Sequence, residues 1–279
     1  VTRLVHLSDI HFGAELRPAV EAAVAYVEAD PPDLIVVTGD LTMNGLPREF
    51  RAAAAWRRRL PDPAILTPGN HDTPYWNVPL RALWPFDRYR RYIGSPHSAS
   101  FDSAALAVRM INTARGAQAR PDWSKGAISL DAASAVVNDL AARPAETFKV
   151  VGCHHPLIDI EGSAVTGGVY RGDEAAQLFA QGGVDLILTG HVHVPFAVAF
   201  PFGDHRTYAV GAGTLSRRTR GAPPSFNVIE IAHEDAVVTA MAWTGAAFTP
   251  DQQWRLERRA VRCLGPASDA GRPTPEIGR

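Results

Sequence analysis

Cysteine is scarce: the 279 residues hold two, Cys153 and Cys263. Two cysteines cannot build the disulfide framework of a small secreted scaffold, and they fit a reducing compartment. Long apolar runs are missing as well. No window approaches the roughly 20 apolar residues of a membrane-spanning helix. Charge of one sign is also lacking, for the formal net charge is −1. No basic surplus points to nucleic acid, and no acidic tail is present. No Gly/Ser-rich linker breaks the middle of the chain, so one domain is expected over residues 1–263. A loose Pro/Gly-rich tail is expected over 264–279. The opening VTRLVHLSDIHF has no apolar core of a secretory leader, and a cytoplasmic protein is the expectation. What is there is ordinary for a globular protein, 46% hydrophobic and 20% charged, and long enough to bury a core without staples.

The first ninety residues alternate strand and helix. Leu4 to Leu7, Leu34 to Val37 and Ala64 to Leu66 read as strands. Residues 17–29, with apolar side chains at helical spacing and Pro18 near the start, read as a helix, as does Pro47 to Leu60. This βαβαβ order predicts a sheet covered by helices. Further on, strands are expected at 105–111, 148–151 and 185–188, and helices at 129–142 and 174–181. After that come strands at 196–200, 206–210, 226–231 and 236–243. So many strands in the second half predict a second sheet packed on the first.

Five apolar runs end in metal-competent side chains. LVHLSDIHF supplies Asp9 and His11, and LIVVTGDLT supplies Asp40. AILTPGNHD supplies Asn70 and His71 beside Asp72. VVGCHHP supplies His154 and His155, and LILTGHVHVP supplies His191 and His193. Singly, each has a commoner use: Asp9 as a cap, Asn70 as a turn residue. Five such endings together are not explained that way. In sheets of this kind ligands bind beyond the carboxyl ends of the strands, so distant segments deliver polar groups to one edge. Asp, His and an Asn carbonyl form a mixed oxygen and nitrogen set suited to Mn, Fe, Zn or Co. Cys153, one residue before His154, faces the other side of its strand. Seven protein groups are too many for one ion. Around two ions they leave room for a bridging water, activated to hydroxide near neutral pH.

The motifs D-x-H, GD, GNHD, V-x-x-H and GHxH stand in the order found in calcineurin-like metallophosphoesterases, and the chain resembles that family over residues 4 to about 195. The resemblance implies an α/β fold, an αββα sandwich of two mixed β-sheets flanked by helices. It implies one metal held by Asp9, His11, Asp40 and His193, and a second held by Asp40, Asn70, His154 and His191, with Asp40 bridging. It makes His71 the catalytic histidine that binds no metal, with Asp72 orienting it. At the strand end of RMINTARG, Asn112 and Arg115 become candidates for substrate phosphate, Arg115 having a surface ion pair as its alternative. The V-x-x-H register favours His154 over His155 as ligand.

Other features are read more plainly. His6, His97, His205 and His233 are read as surface or satisfied core histidines, and Trp76, Trp84, Phe86 and Tyr89 as core packing ahead of a pocket wall. Arg217, Arg218 and Arg220 form a Gly-flanked run, either a solvated face or a phosphate contact. Met43 stands where purple acid phosphatases carry the tyrosine of GDxxY, so no purple centre is implied. The HHP and GHVHxP forms look most like small bacterial cyclic-nucleotide phosphodiesterases, and the Ala/Arg-rich composition fits a GC-rich bacterial genome. The expected activity is hydrolysis of a small phosphate ester by two ions (Mn, Fe or Zn), diester ahead of monoester or pyrophosphate. A non-catalytic scaffold on the same fold is the alternative of another class. Related enzymes often form homodimers, and no segment here demands it.

Overall fold

Alternation within the apolar strands sorts side chains onto two faces, and both faces are buried. The computed structural model describes residues 1–97, 99–120, 122–161 and 168–259. The first half contains β1 (Thr2–Leu7), α1 (Arg17–Ala29), β2 (Leu34–Val37), α2 (Pro47–Arg57) and β3 (Ala64–Leu66). A 3-10 turn, Asn70–Asp72, and two short helices, α3 (Val78–Leu83) and α4 (Asp87–Tyr92), follow. The second half holds β4 (Ser100–Asp102), β5 (Leu106–Met110), α5 (Leu130–Ala141), β6 (Phe148–Gly152), α6 (Gly172–Gln181) and β7 (Leu186–His193). It ends with β8 (Phe196–Ala199), β9 (Tyr208–Gly213), β10 (Ser225–Ile231), β11 (Asp235–Trp243) and β12 (Phe248–Glu257).

Two six-stranded sheets result, ordered β12-β11-β10-β1-β2-β3 and β4-β5-β6-β7-β9-β8. Both are mixed. β1, β2 and β3 run parallel, with β10 antiparallel to β1. β5, β6, β7 and β9 run parallel, with β4 and β8 antiparallel at the edges. Leu4, Leu34 and Val36 meet Val108, Val150 and Leu188 in the layer between the sheets. Their neighbours Val5, Ile35 and Val37 face outward against Val20, Val24 and Phe50 of α1 and α2. On the far side, Val151, Cys153 and Ile187 pack on Ala133 of α5 and Phe179 of α6. The αββα sandwich implied by the motifs is therefore present, and Cys153 faces its core cluster.

The departures have physical causes. β12 went unread because its sequence, FTPDQQWRLE, shows no alternation. It is an edge strand, mostly exposed, with Pro250 tolerated there. Phe86 and Tyr89 are buried, but Trp76 and Trp84 are 75% and 54% exposed, so the expected core role fails for those two. Residues 264–279 and Cys263 lie outside the described residues. Among the described residues, no helix is long and apolar enough to cross a membrane.

Candidate metal centre

Seven candidate ligands sit at or just beyond the carboxyl ends of β1, β2, β3, β6 and β7, and bringing them together bends the backbone. Asp9, His11, Asp40, His191 and His193 all take positive φ, at 55°, 51°, 51°, 67° and 65°. Only two other non-glycine residues among those described do so, Arg171 and His205. Each such residue costs about 1–2 kcal/mol, and strain of this kind collects at functional sites. The glycines beside the ligands are there for close approach. A Cβ on Gly69 would lie 2.1 Å from Asp40 Oδ1, and one on Gly190 would lie 1.9 Å from Ser8 Oγ and 2.4 Å from Asp9 Oδ2.

Asp9, His11, Asp40 and His193 form one fully buried cluster with ligand atoms within 4.8 Å of one another. His193 Nε2 is 2.9 Å from Asp9 Oδ1, and His11 Nε2 is 3.2 Å from His193 Nε2. His154, Asn70 and Asp40 meet beside it. His154 Nε2 lies 3.3 Å from Asp40 Oδ2 and 3.2 Å from Asn70 Oδ1. The His191 ring packs 5.2 Å from that of His154.

The ring hydrogen bonds show which nitrogens are free to coordinate. His11, His154 and His193 each direct Nδ1 at a backbone carbonyl, of Thr42 (3.3 Å), Thr38 (2.7 Å) and Arg218 (2.6 Å). Donation there fixes the tautomer and aims each Nε2 lone pair into the cluster. His155 also groups with His154 and His191, but both of its nitrogens are engaged, Nδ1 with Thr113 Oγ1 (2.8 Å) and Nε2 with Ser124 O (2.8 Å). It supports His154 and has no nitrogen to spare for a metal.

This donor set fits a metal. Asp9 Oδ1 is buried without a hydrogen-bond donor. The facing lone pairs of His11 and His193 repel unless positive charge lies between them. The field of the cluster favours such charge. Burial alone would lower His154, yet Asp40 and Asp9 raise it to about 9. Against burial that works the other way, His193 and His11 hold Asp9 well below the ordinary carboxylate range.

His71 sits on the rim with its ring centroid 4.9 Å from that of His11. Its Nδ1 meets the Met43 carbonyl at 2.7 Å, so Nε2 is the acceptor, and the Arg218 guanidinium donates to it at 2.9 Å. Burial first, offset in part by Asp40, lowers the imidazole to about 4. Tyr75 stacks on the outer side of the ring, 6.3 Å away at 3° between planes.

Asp72 does not touch the His71 ring, contrary to the expected orienting role. Its carboxylate accepts from Leu41 N, Thr42 N, Thr42 Oγ1 and Gly69 N at 2.9–3.1 Å. It therefore ties the loop carrying Asp40 to the loop carrying Asn70. The residue that contacts His71 is Arg218, from the run open to two readings. Its loop is braced by a chain of hydroxyls, from Arg218 N to Ser216 Oγ (3.1 Å), on to Thr214 Oγ1 (2.7 Å) and then to Asp9 O (2.6 Å). Asn112 and Arg115 are not brought to this cluster. They border a separate cavity that none of the candidate ligands lines. Thr113 between them is what reaches the site, through His155.

A two-sheet α/β sandwich with clustered Asp and His at its strand ends defines a metal-dependent phosphoesterase type. A model of the calcineurin-like phosphoesterases matches residues 2–195, and the chain belongs to that family. A curated relative, a probable cyclic nucleotide phosphodiesterase of Synechococcus sp., is 24% identical over 210 residues, 69% of this chain and 74% of the relative. Among solved structures, purple acid phosphatase PPD1 from yellow lupin (Lupinus luteus) aligns over 99% of this chain at 16% identity and a TM-score of 0.64. The chain spans 57% of that enzyme's length. GAP50, the anchor in the inner membrane complex of Plasmodium, aligns over 94% of this chain and 90% of its own, at 15% identity and a TM-score of 0.63. These two likenesses show the fold alone.

Proposed function

We propose that the chain is a dinuclear metal-dependent phosphohydrolase that favours small phosphodiesters. The observation that carries this reading is the position of Asp40, whose Oδ2 lies 3.7 Å from His11 Nε2 and 3.3 Å from His154 Nε2. One carboxylate faces both ligand sets. Asp9, His11 and His193 would complete one set and Asn70, His154 and His191 the other. Bound there, divalent or trivalent ions of the Mn, Fe or Zn kind supply Lewis acidity and an activated water.

The chain's own groups do the rest. Arg218 donates to His71 Nε2 at 2.9 Å and so stands where a phosphoryl oxygen would meet it. An incoming phosphate gives the guanidinium an anionic acceptor in place of the imidazole. Nε2 of His71 is then free as a proton acceptor beside the phosphoryl group, while the Met43 carbonyl keeps the ring oriented. Tyr75, stacked on His71 and 46% exposed, offers an aromatic face to a leaving group. The name of the Synechococcus relative supports diester over monoester. Fold alone does not make an enzyme. The complete ligand set together with His71 favours catalysis.

The test is hydrolysis of bis(p-nitrophenyl) phosphate beside p-nitrophenyl phosphate, after reconstitution with Mn, Fe or Zn and measurement of metal content. Faster diester turnover with two ions per chain is expected. Faster monoester turnover makes the protein a phosphatase. Two ions bound with no turnover of either ester returns the scaffold reading.

A further inference from the structure

Away from the metal ligands, a cavity of about 610 Å³ opens between α4, β5 and the start of α5. Its walls are apolar, with Pro85, Phe86, Met110, Ile111, Ala114 and Val136. Set into them are Arg90, His97, Asn112 and Arg115, and no Asp or Glu is among the described residues that line it. The volume lies within the range of small-molecule sites, where apolar walls carry a few placed polar groups.

Three features of these walls call for negative charge. The Arg115 guanidinium is half-buried, and its Nη1 donates only to the carbonyls of Asn112 (3.0 Å) and Ala114 (2.8 Å). It has no carboxylate partner among the described residues. Burial pulls it below its ordinary range with no acid to offset the cost, and a cation in such a place is stabilised by an anion. Asn112 is 7% exposed, and its Oδ1 accepts from Ala114 N at 2.9 Å. That bond fixes the amide orientation, and Nδ2 is left as a buried donor without a partner. The first turn of α5, a twelve-residue helix, borders the cavity through Ser129 and Ala132 and adds its positive end, answered in part by the exposed Asp131 of the same turn. His97 is held below its ordinary value by burial and then by Arg90 and Arg115. Arg90 is partly answered from outside by Asp87, at 2.8 Å.

We propose that this cavity is a binding site for a small organic anion, a carboxylate or phosphate on an apolar body, held by Arg115 and Asn112. The site does not depend on the metal reading, since no candidate ligand lines it. A short relay joins it to the metal cluster: Thr113, next to Asn112, bonds His155, and the His155 ring packs 4.7 Å from that of His154.

The experiment is calorimetric titration of the metal-loaded protein with 2-naphthoate and with its neutral isostere 2-naphthamide. The acid is expected to bind at least tenfold more tightly than the amide. Arg115→Gln should weaken the acid at least tenfold. Ala132→Phe, on an exposed position at the cavity edge, should block both compounds while leaving the melting temperature in place. Equal affinity for acid and amide overturns the proposal, as does no binding of the acid at millimolar concentration. Acid binding unchanged in both variants also overturns it, and is what capture of the carboxylate by the metal centre would give. Phenyl phosphonate in the same titrations separates a phosphate site from a carboxylate site: preference for either in an Arg115-dependent manner supports the proposal.

Discussion

Replacing Asp72 by Asn separates two roles that the sequence alone confuses. In the structure Oδ1 accepts from Thr42 N (2.9 Å) and Thr42 Oγ1 (3.0 Å), and Oδ2 accepts from Gly69 N (2.9 Å) and Leu41 N (3.1 Å). An Asn side chain keeps the shape but turns one oxygen into a donor. The less costly orientation puts the amide nitrogen toward Thr42, whose hydroxyl can rotate to accept. Thr42 N is then orphaned in a buried place, at a cost of about 1–3 kcal/mol. Loss of the charge relieves repulsion from Asp40, which with burial pushes the Asp72 carboxyl upward, so the lower half of that range is the better guide. At ~2.1 cal/mol/K per residue the unfolding entropy of a chain this long is about 0.6 kcal/mol/K, and the melting temperature should fall by roughly 2–3 °C. The assay is thermal unfolding of the chelated protein by circular dichroism, with metal content and turnover measured on the reloaded protein. Both stability and metal affinity should fall together. An unchanged melting temperature with loss of kcat alone would refute the brace and restore Asp72 as the group that orients His71.

His71→Ala should keep both ions and lower kcat by roughly 10²–10⁴, the usual range for a proton-transfer group; loss of an ion would make His71 a ligand. Arg218→Ala should raise KM for a small diester by about tenfold or more, as expected for loss of a charge-assisted contact worth about 1.5–3 kcal/mol, and Arg218→Lys should recover only part, since a lysine cannot bond bidentately. An unchanged KM would return Arg218 to the solvated face. In Gly190→Ala the new Cβ would fall 2.4 Å from Asp9 Oδ2, so equilibrium dialysis should find fewer than two firmly bound ions per chain; two ions bound would show that the loop yields.

Much of this was legible because metal chemistry restricts residue type. Few side chains coordinate, and Asp9, Asp40, His154 and His193 therefore stand out wherever a strand ends. The glycines were legible only as letters of GNHD and GHxH; the close approach that Gly69 and Gly190 serve depends on Asp40, Ser8 and Asp9 across the fold. What escaped reading depends on partners far away in the chain. Arg218 contacts His71 from 147 positions on, and no local pattern carries that distance. Asp72 looked like a partner for its neighbour because adjacency is all a sequence shows, yet its donors come from the loop after β2 and from Gly69. Arg115 was placed near the right strand end, but the turn after β5 sends Thr113, not Arg115, toward the histidines. Trp76 and Trp84 were read as core because large aromatics usually are. Trp76 stands before α3 and Trp84 just after its last residue, so neither lies on a helix face whose periodicity could place it.

Five of the seven candidate ligands hold the backbone in its left-handed region. Summed at about 1–2 kcal/mol each, that tension approaches the whole folding margin of an ordinary domain, about 5–15 kcal/mol. A tightly held ion offsets it through binding that the unfolded chain cannot match. In a cell, then, the lifetime of this protein would follow the supply of its metals. Were ions scarce, a chain so dependent on them would lose both its chemistry and part of its resistance to proteolysis, and inactive copies would become the ones most readily cleared.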